Sequence, residues 1–147
     1  MLTPTDCFQK WGQPKDDAKW QSRLLILWVV PADIRQKCPA LPAKIYTNKL
    51  MVAPMETGFR NLIAKGLHDE LKTWNGSFNI RTQRGSDKQS LHSWAAAFDI
   101  NKAENELGAK PRLSKEFAQC FKDAGFDWGG DWAMPRTDGM HFQLKQL

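Results

Sequence analysis

Apolar positions recur along the chain with two different periods, and the change from one to the other marks the predicted elements. From Pro54 to Trp74, the residues Met55, Phe59, Leu62, Ile63, Leu67, Leu71 and Trp74 recur mostly at steps of three and four. That spacing puts them on one stripe of a helix. Pro54 suits a first turn, where no amide hydrogen is needed, and Asn75-Gly76 is read as the end of the element. His68 falls off the stripe, beside Asp69 and Glu70, and reads as a solvated histidine. Alternation with period two appears at Phe78–Thr82, Ala96–Ile100 and Met140–Leu144 and predicts three strands. In the last of these Met140, Phe142 and Leu144 face the core.

Leu24–Val30 is an unbroken apolar run stopped by Pro31, which predicts a short buried strand, with a further short strand at Lys44–Thr47. Ser114 is placed to cap a helix that buries Phe117, Cys120 and Phe121 and closes at Gly125. Residues 1–23 are polar around Gly12 and Pro14 and predict a loosely structured lead anchored by Trp11 and Trp20. Pro31, Pro39 and Pro42 make 31–50 a connecting segment pinned to the body, and Gln83–Ser90 reads as a polar loop. The expected architecture is α+β: one small domain over 1–147, mostly antiparallel sheet flanked by helices, with 1–43 as an N-terminal lead packed on the core.

Composition changes this picture in three places. Seven tryptophans and eight phenylalanines in 147 residues need a packed core to cover them. A net charge of +5 and a pI near 9.2 favour anionic partners: nucleic acid, an acidic membrane surface or an anionic cell wall. The basic residues are dispersed, without a run of five and without a nucleic-acid motif, so no nucleic-acid partner is expected. Cys7, Cys38 and Cys120 include no C-x-x-C pair and read as buried thiols of a chain made in a reducing compartment. The longest apolar run covers Leu24–Val30, far below the roughly 20 residues of a membrane span, so no stable membrane insertion is expected. It also lies too far from Met1, behind a charged stretch, for a secretory signal. The expectation is synthesis in the cytoplasm without a signal peptide, as a monomer.

The chemistry sits on the outward faces of two predicted strands. Asp99 lies opposite Phe98 and Ile100, and His141 lies opposite Met140 and Phe142. If those strands are neighbours, the two side chains converge. His92 precedes Asp99 by seven residues, an odd separation that puts it on the wrong face of a straight strand. It must approach from the preceding loop or from a bend between Ser93 and Ala95. Two imidazoles and one carboxylate suit a catalytic zinc with a fourth position open. Asp138, in Asp138-Gly139-Met140-His141, is placed by a turn to act as the acid–base group beside it. The same residues also read as hydrogen-bonded histidines, a pairing aspartate and an ordinary Asp-Gly turn, and spacing alone leaves both readings open.

Ser90-Leu91-His92-Ser93-Trp94-Ala95-Ala96-Ala97-Phe98-Asp99, followed by Asp138-Gly139-Met140-His141-Phe142, resembles the D-Ala-D-Ala carboxypeptidase and phage endolysin family of zinc peptidases, which shares its fold with hedgehog-type proteins. Phe126-Asp127-Trp128-Gly129-Gly130-Asp131-Trp132 is similar to the Gly-Gly-x-Trp segment before the family's acid, and Asn79-Ile80-Arg81 to its arginine-bearing strand. The resemblance implies one Zn²⁺ per chain held by His92, Asp99 and His141, with Asp138 as general base and acid. It implies that Arg81 steadies the oxyanion or a substrate carboxylate and that Ser90 binds the substrate; Arg84 reads as a surface charge of the loop or as the alternate to Arg81. Trp94, Trp128 and Trp132 read either as the lining of a groove for a stem peptide or as buried packing. Ala95 departs from the family's usual glycine, and its methyl is expected to crowd the bend.

The activity so implied is peptidoglycan hydrolysis at a stem-peptide bond, with L-alanyl-D-glutamate endopeptidase first and D-Ala-D-Ala carboxypeptidase second. A zinc-binding module without activity and a basic nucleic-acid binder are the other classes. An endolysin type further implies action on the wall after holin release or delivery in a phage particle, with no separate wall-binding domain.

Overall fold

The computed structural model describes residues 1–147. Helix α1 (Pro4–Trp11) opens with a capping box in which Thr3 and Asp6 satisfy each other's backbone amides, and Pro4 occupies its first turn. It stops at Gly12, whose φ of 78° is open to glycine at little cost. Asp17 caps α2 (Ala18–Leu24). The predicted loose lead is therefore two short helices. Neither carries a long apolar stripe; both depend on caps and on tertiary anchors. The Trp20 indole donates to the Trp11 carbonyl and the Trp94 indole to the Gly12 carbonyl.

Strand β1 (Leu25–Val29) pairs antiparallel with β2 (Lys44–Asn48), joined through α3 (Ala32–Lys37). This two-stranded sheet is separate from the main one, so the apolar run is not the buried strand that was predicted. Leu25 and Trp28 face the core, while Leu27 and Val29 are 52% and 64% exposed.

Helix α4 (Val52–Ala64) ends ten residues short of Trp74. Gly66 takes φ 68°, and the amides of Gly66 and Leu67 return to the carbonyls of Ile63 and Leu62, a Schellman stop. Leu67, Leu71 and Trp74 nonetheless pack on the core, which is why they fitted a helical stripe. Trp74 belongs instead to β3 (Trp74–Gly76), the edge of a four-stranded antiparallel sheet with β4 (Ala97–Ile100), β5 (Phe126–Trp128) and β6 (His141–Leu144) in the order β3-β4-β6-β5. Residues 78–82, predicted as a strand, join no sheet and form only a Thr82–Gln89 bridge. Their polar groups dock on the turn after them: the Asn79 amide on the His92 carbonyl and the Arg81 amide on Ser93 Oγ.

Helix α5 (Lys115–Ala124) starts at the Ser114 cap and closes at Gly125, as predicted. It packs against α4 over the core face of the sheet. Contact is close because Gly58 has no side chain: a Cβ there would lie 2.3 Å from the Phe121 ring. Phe98 stacks on Phe142 at 5.3 Å, with Phe121 and Phe126 edge-on to Phe98. This aromatic layer fixes β4 against β6. The polar side chains on the opposite face are thereby held in register.

Candidate metal centre

Three elements bring the donors together. Asp99 on β4 and His141 on β6 are direct cross-strand partners. His92 arrives on a 3₁₀ turn, Leu91–Trp94, just before β4. Ser90 caps that turn, its Oγ accepting the His92 amide hydrogen. The chain then reverses at Ala95, a buried residue at φ 50°, ψ 33°. This is the bend that the odd spacing required, and its left-handed geometry is one that glycine adopts at less cost than alanine. The methyl does not close the site; it holds a conformation costing an L-residue roughly 1–2 kcal/mol. Ala95→Gly relieves that strain but loses a buried methyl and raises the entropy of the unfolded chain. The expected result is a gain of about 0–1 kcal/mol in thermal or urea unfolding, with activity retained.

Asp99 Oδ2 lies 3.2 Å from His92 Nε2, and Asp99 Oδ1 lies 3.4 Å from His141 Nδ1. The three donors sit within 4.8 Å of one another. Each imidazole is held by its other nitrogen. His92 Nδ1 meets the Ser77 carbonyl at 2.8 Å, and His141 Nε2 meets Gln143 Oε1 at 2.9 Å. The inward atoms are poorly served: His92 Nε2 and Asp99 Oδ1 are buried without an aligned hydrogen bond, as is Asp138 Oδ1. Buried polar atoms without partners are costly in a folded protein. The donor set fits zinc: bonds of about 2.0–2.1 Å at tetrahedral angles put neighbouring ligand atoms roughly 3.3 Å apart.

Electrostatics follow from burial and charge. Burial alone pushes the Asp99 carboxyl up, but the His141 and His92 imidazoles outweigh it and hold the group well below the carboxylate range. For His141 burial disfavours the charged ring, yet the Asp99 carboxylate wins and raises its pKa above the usual imidazole value. Asp138 is raised, chiefly by burial, with Asp99 adding to the effect. Because a ligating imidazole must be deprotonated, protons compete with metal for His141 from a higher pH than for a free imidazole. Zinc affinity of the metal-free chain is therefore expected to fall on acidification through that raised pKa, by about tenfold per pH unit for each proton displaced. Chelator-competition titrations across the acid-to-neutral range check this.

Asp138 stands on a loop closed by main-chain bonds. Its amide donates to the Gly129 carbonyl, and its own carbonyl accepts the His141 amide hydrogen. Gly129 permits the approach: a Cβ there would lie 2.4 Å from the Asp138 carbonyl oxygen. The Trp128 indole donates to the Gly139 carbonyl, and Thr137 Oγ1 donates to the Trp132 carbonyl. Trp132 is half-buried with its ring centre 5.3 Å from that of His141.

The donors lie in a cleft of about 1390 Å³. Five cations line it (Arg81, Arg84, Lys88, Lys102 and Arg136), against two carboxylates, Asp99 and Asp138. Arg81 is half-buried and its guanidinium donates to the Thr82 carbonyl; Arg84 is exposed. Trp94 is buried, with its indole engaged by Gly12, and Trp128 is buried under the Asp138 loop, so both serve packing more than a groove surface. His68 lies on a separate 3₁₀ turn, His68–Glu70, outside the cluster.

Sequence reading missed Ser77 and Gln143, which orient the two imidazoles. Gln143 had a signal: it is two residues from His141 in a strand, hence on the same face. Ser77 acts through its carbonyl, which any residue would supply, so its identity carried none.

Fold and site together define an α+β domain with a two-histidine, one-carboxylate cluster able to hold a metal ion, lining a cationic cleft. Residues 84–144 match a protein-family model described as D-alanyl-D-alanine carboxypeptidase. That segment contains His92, Asp99, Asp138 and His141, and the match supports a metallopeptidase. No curated protein and no solved structure matches the chain. No helix is long and apolar enough to cross a membrane.

Proposed function

We propose that this chain is a zinc-dependent peptidoglycan hydrolase of the endolysin type that cuts the L-alanyl-D-glutamate bond of the stem peptide. The observation that carries the reading is the donor cluster: three inward ligand atoms, two of them buried without a hydrogen bond, beside an acid with its own unpaired oxygen. His92, Asp99 and His141 would hold the zinc. When bound, it supplies a Lewis acid for the scissile carbonyl and lowers the pKa of a water nucleophile. Asp138 takes the proton from the nucleophile and returns it to the departing amine, a role its elevated pKa suits. Arg81 is the fixed charge for the oxyanion or a substrate carboxylate, with Arg84 beyond it at the rim. Ser90 and Trp132 supply further substrate contacts.

The cleft favours an internal bond over a terminal one. Its volume exceeds the roughly 300–1,000 Å³ of small-molecule sites, which suits a peptide longer than a terminal dipeptide. Its excess of cations suits the free carboxylates of a stem peptide. The second reading, D-Ala-D-Ala carboxypeptidase, is favoured by the description of the matching family. The site of action we propose is the cell wall, reached by release through a holin or within a phage particle.

Mass spectrometry of muropeptides after digestion of purified peptidoglycan separates these readings. Endopeptidase action leaves L-alanine on the muramyl group and frees a peptide beginning with D-glutamate. Carboxypeptidase action removes terminal D-alanine alone. No cleavage of several wall types by the zinc-loaded chain would overturn the hydrolase reading in favour of a zinc-bearing binding module.

A further inference from the structure

The two imidazoles of the donor cluster are oriented by unequal means. His92 gives its outer nitrogen to a main-chain carbonyl, that of Ser77, at 2.8 Å. A carbonyl only accepts, so Nδ1 carries the hydrogen and Nε2 is left as the inward lone pair. His141 instead meets a side-chain amide, and an amide can present either its oxygen or its NH₂ group. Presented with oxygen, it fixes the hydrogen on Nε2 and leaves Nδ1 as the inward lone pair. Presented with NH₂, it would reverse the tautomer and put a hydrogen where a metal must bind.

What decides the amide's orientation lies far away in sequence. Gln143 Nε2 donates to the Leu2 carbonyl at 3.1 Å, while Gln143 Oε1 faces His141 Nε2. Flipping the amide would set its oxygen against the Leu2 oxygen. Gln143, His141 and Leu2 are 4%, 7% and 6% exposed, so little water is at hand to serve a flipped amide. Leu2 is held by the start of α1, where the Thr3 amide donates to Asp6 Oδ2 at 2.8 Å.

We propose that Gln143 is a positioning residue that selects the metal-binding tautomer of His141, and that the Leu2 carbonyl selects the orientation of Gln143. The segment entering α1 is thus part of the support of the metal centre, although it contributes no ligand. The inference rests on the zinc reading of the site, and its test uses binding and tautomer state rather than turnover.

The test is zinc affinity of the metal-free full-length chain by competition with a chromophoric chelator, paired with long-range ¹H–¹⁵N spectra of the histidine rings at alkaline pH. Gln143→Leu is expected to weaken zinc about 10–100-fold, the usual effect of losing a partner of a ligating histidine, and to mix the His141 tautomers. Gln143→Glu keeps an acceptor facing His141 and is expected to retain the Nε2–H tautomer; its second oxygen opposes the Leu2 carbonyl, so the tautomer and not the affinity is its readout. Asp6→Ala, an exposed change that frays the start of α1, is expected to weaken zinc several-fold in the wild type and not further in Gln143→Leu. Circular dichroism and melting of each metal-free variant report whether it is folded; if Gln143→Leu is not, Gln143→Glu and Asp6→Ala carry the test.

Unchanged affinity and tautomer in Gln143→Leu would overturn the proposal, as would mixed His141 tautomers in a folded Gln143→Glu. An Asp6→Ala effect that is absent, or equal in the two backgrounds, overturns the link to Leu2. Wild type that fails to bind zinc removes the zinc reading itself. Wild type that binds tightly beside an unaffected Gln143→Leu removes this inference alone.

Discussion

His92→Ala is expected to abolish peptidase activity and to weaken zinc by about 10²–10³-fold. The estimate divides the roughly 10–16 kcal/mol of a four-ligand zinc site evenly, giving about 2.5–4 kcal/mol per ligand. His141→Ala is expected to match it, because Asp99 stands between both rings at 3.2 and 3.4 Å. The change also reaches the metal-free fold. Without the imidazole, the Ser77 carbonyl loses its partner and Asp99 loses one of the two rings that hold its charge in a buried place. Each such orphaned group costs about 1–3 kcal/mol, so metal-free His92→Ala should also melt below the metal-free wild type. A readout that needs no substrate is the melting shift on adding zinc. For a ligand at 100 times its dissociation constant the folded state gains about 2.7 kcal/mol. Wild type should show that shift and lose it to chelator, and His92→Ala should show little of it at the same zinc concentration. An equal zinc-dependent shift in the variant would remove His92 from the ligand set.

The parts of the site that were legible in the sequence are those in which a side chain's chemistry and the strand period coincide. Asp99 and His141 alternate with Phe98, Ile100, Met140 and Phe142, so the period of two announces their face; pairing of β4 with β6 then makes them neighbours. His92 was legible by contradiction. Its odd distance from Asp99 demanded a bend, and the bend is the left-handed Ala95. Helix α5 was legible because both its caps are chemical signals, a serine and a glycine. Where the reading went astray, tertiary contact had overridden period. The stripe from Met55 to Trp74 counts core-facing residues correctly, but it cannot tell a continuous helix from one broken at Gly66 and resumed as other structure. Leu25–Val29 is apolar enough for a sheet interior, yet it has only β2 beside it, and three of its residues face outward. The N-terminal helices were invisible to period because caps and two indole hydrogen bonds hold them. That region is also where the cleft gains a wall, from residues Met1 to Thr5 and Phe8, so the missed secondary structure was a missed piece of the site.

Asp138→Asn separates chemistry from metal binding. The substitution keeps volume and removes the ability to take a proton, so turnover on peptidoglycan should fall by about 10²–10⁴-fold, the usual worth of a positioned acid–base group. Zinc should bind as before, since the three ligand atoms lie on other residues. The loop should also persist, because its closure uses the Asp138 main chain: the amide bonds to the Gly129 carbonyl and the carbonyl to the His141 amide. The unpaired Asp138 Oδ1 gives this prediction its edge. A structural aspartate in a turn would have both oxygens satisfied, and its replacement would register in stability more than in rate. Here burial, with the Asp99 charge adding to it, raises the carboxyl above its ordinary value against the pull of the histidines, so the metal-free Asp138→Asn chain should be no less stable than wild type. Steady-state rates on purified wall, zinc stoichiometry and melting, measured on one preparation, read all three consequences. Retained turnover with zinc bound would pass the acid–base role to another group of the cleft. Lost zinc binding would instead make Asp138 a fourth ligand and leave the centre without an assigned base.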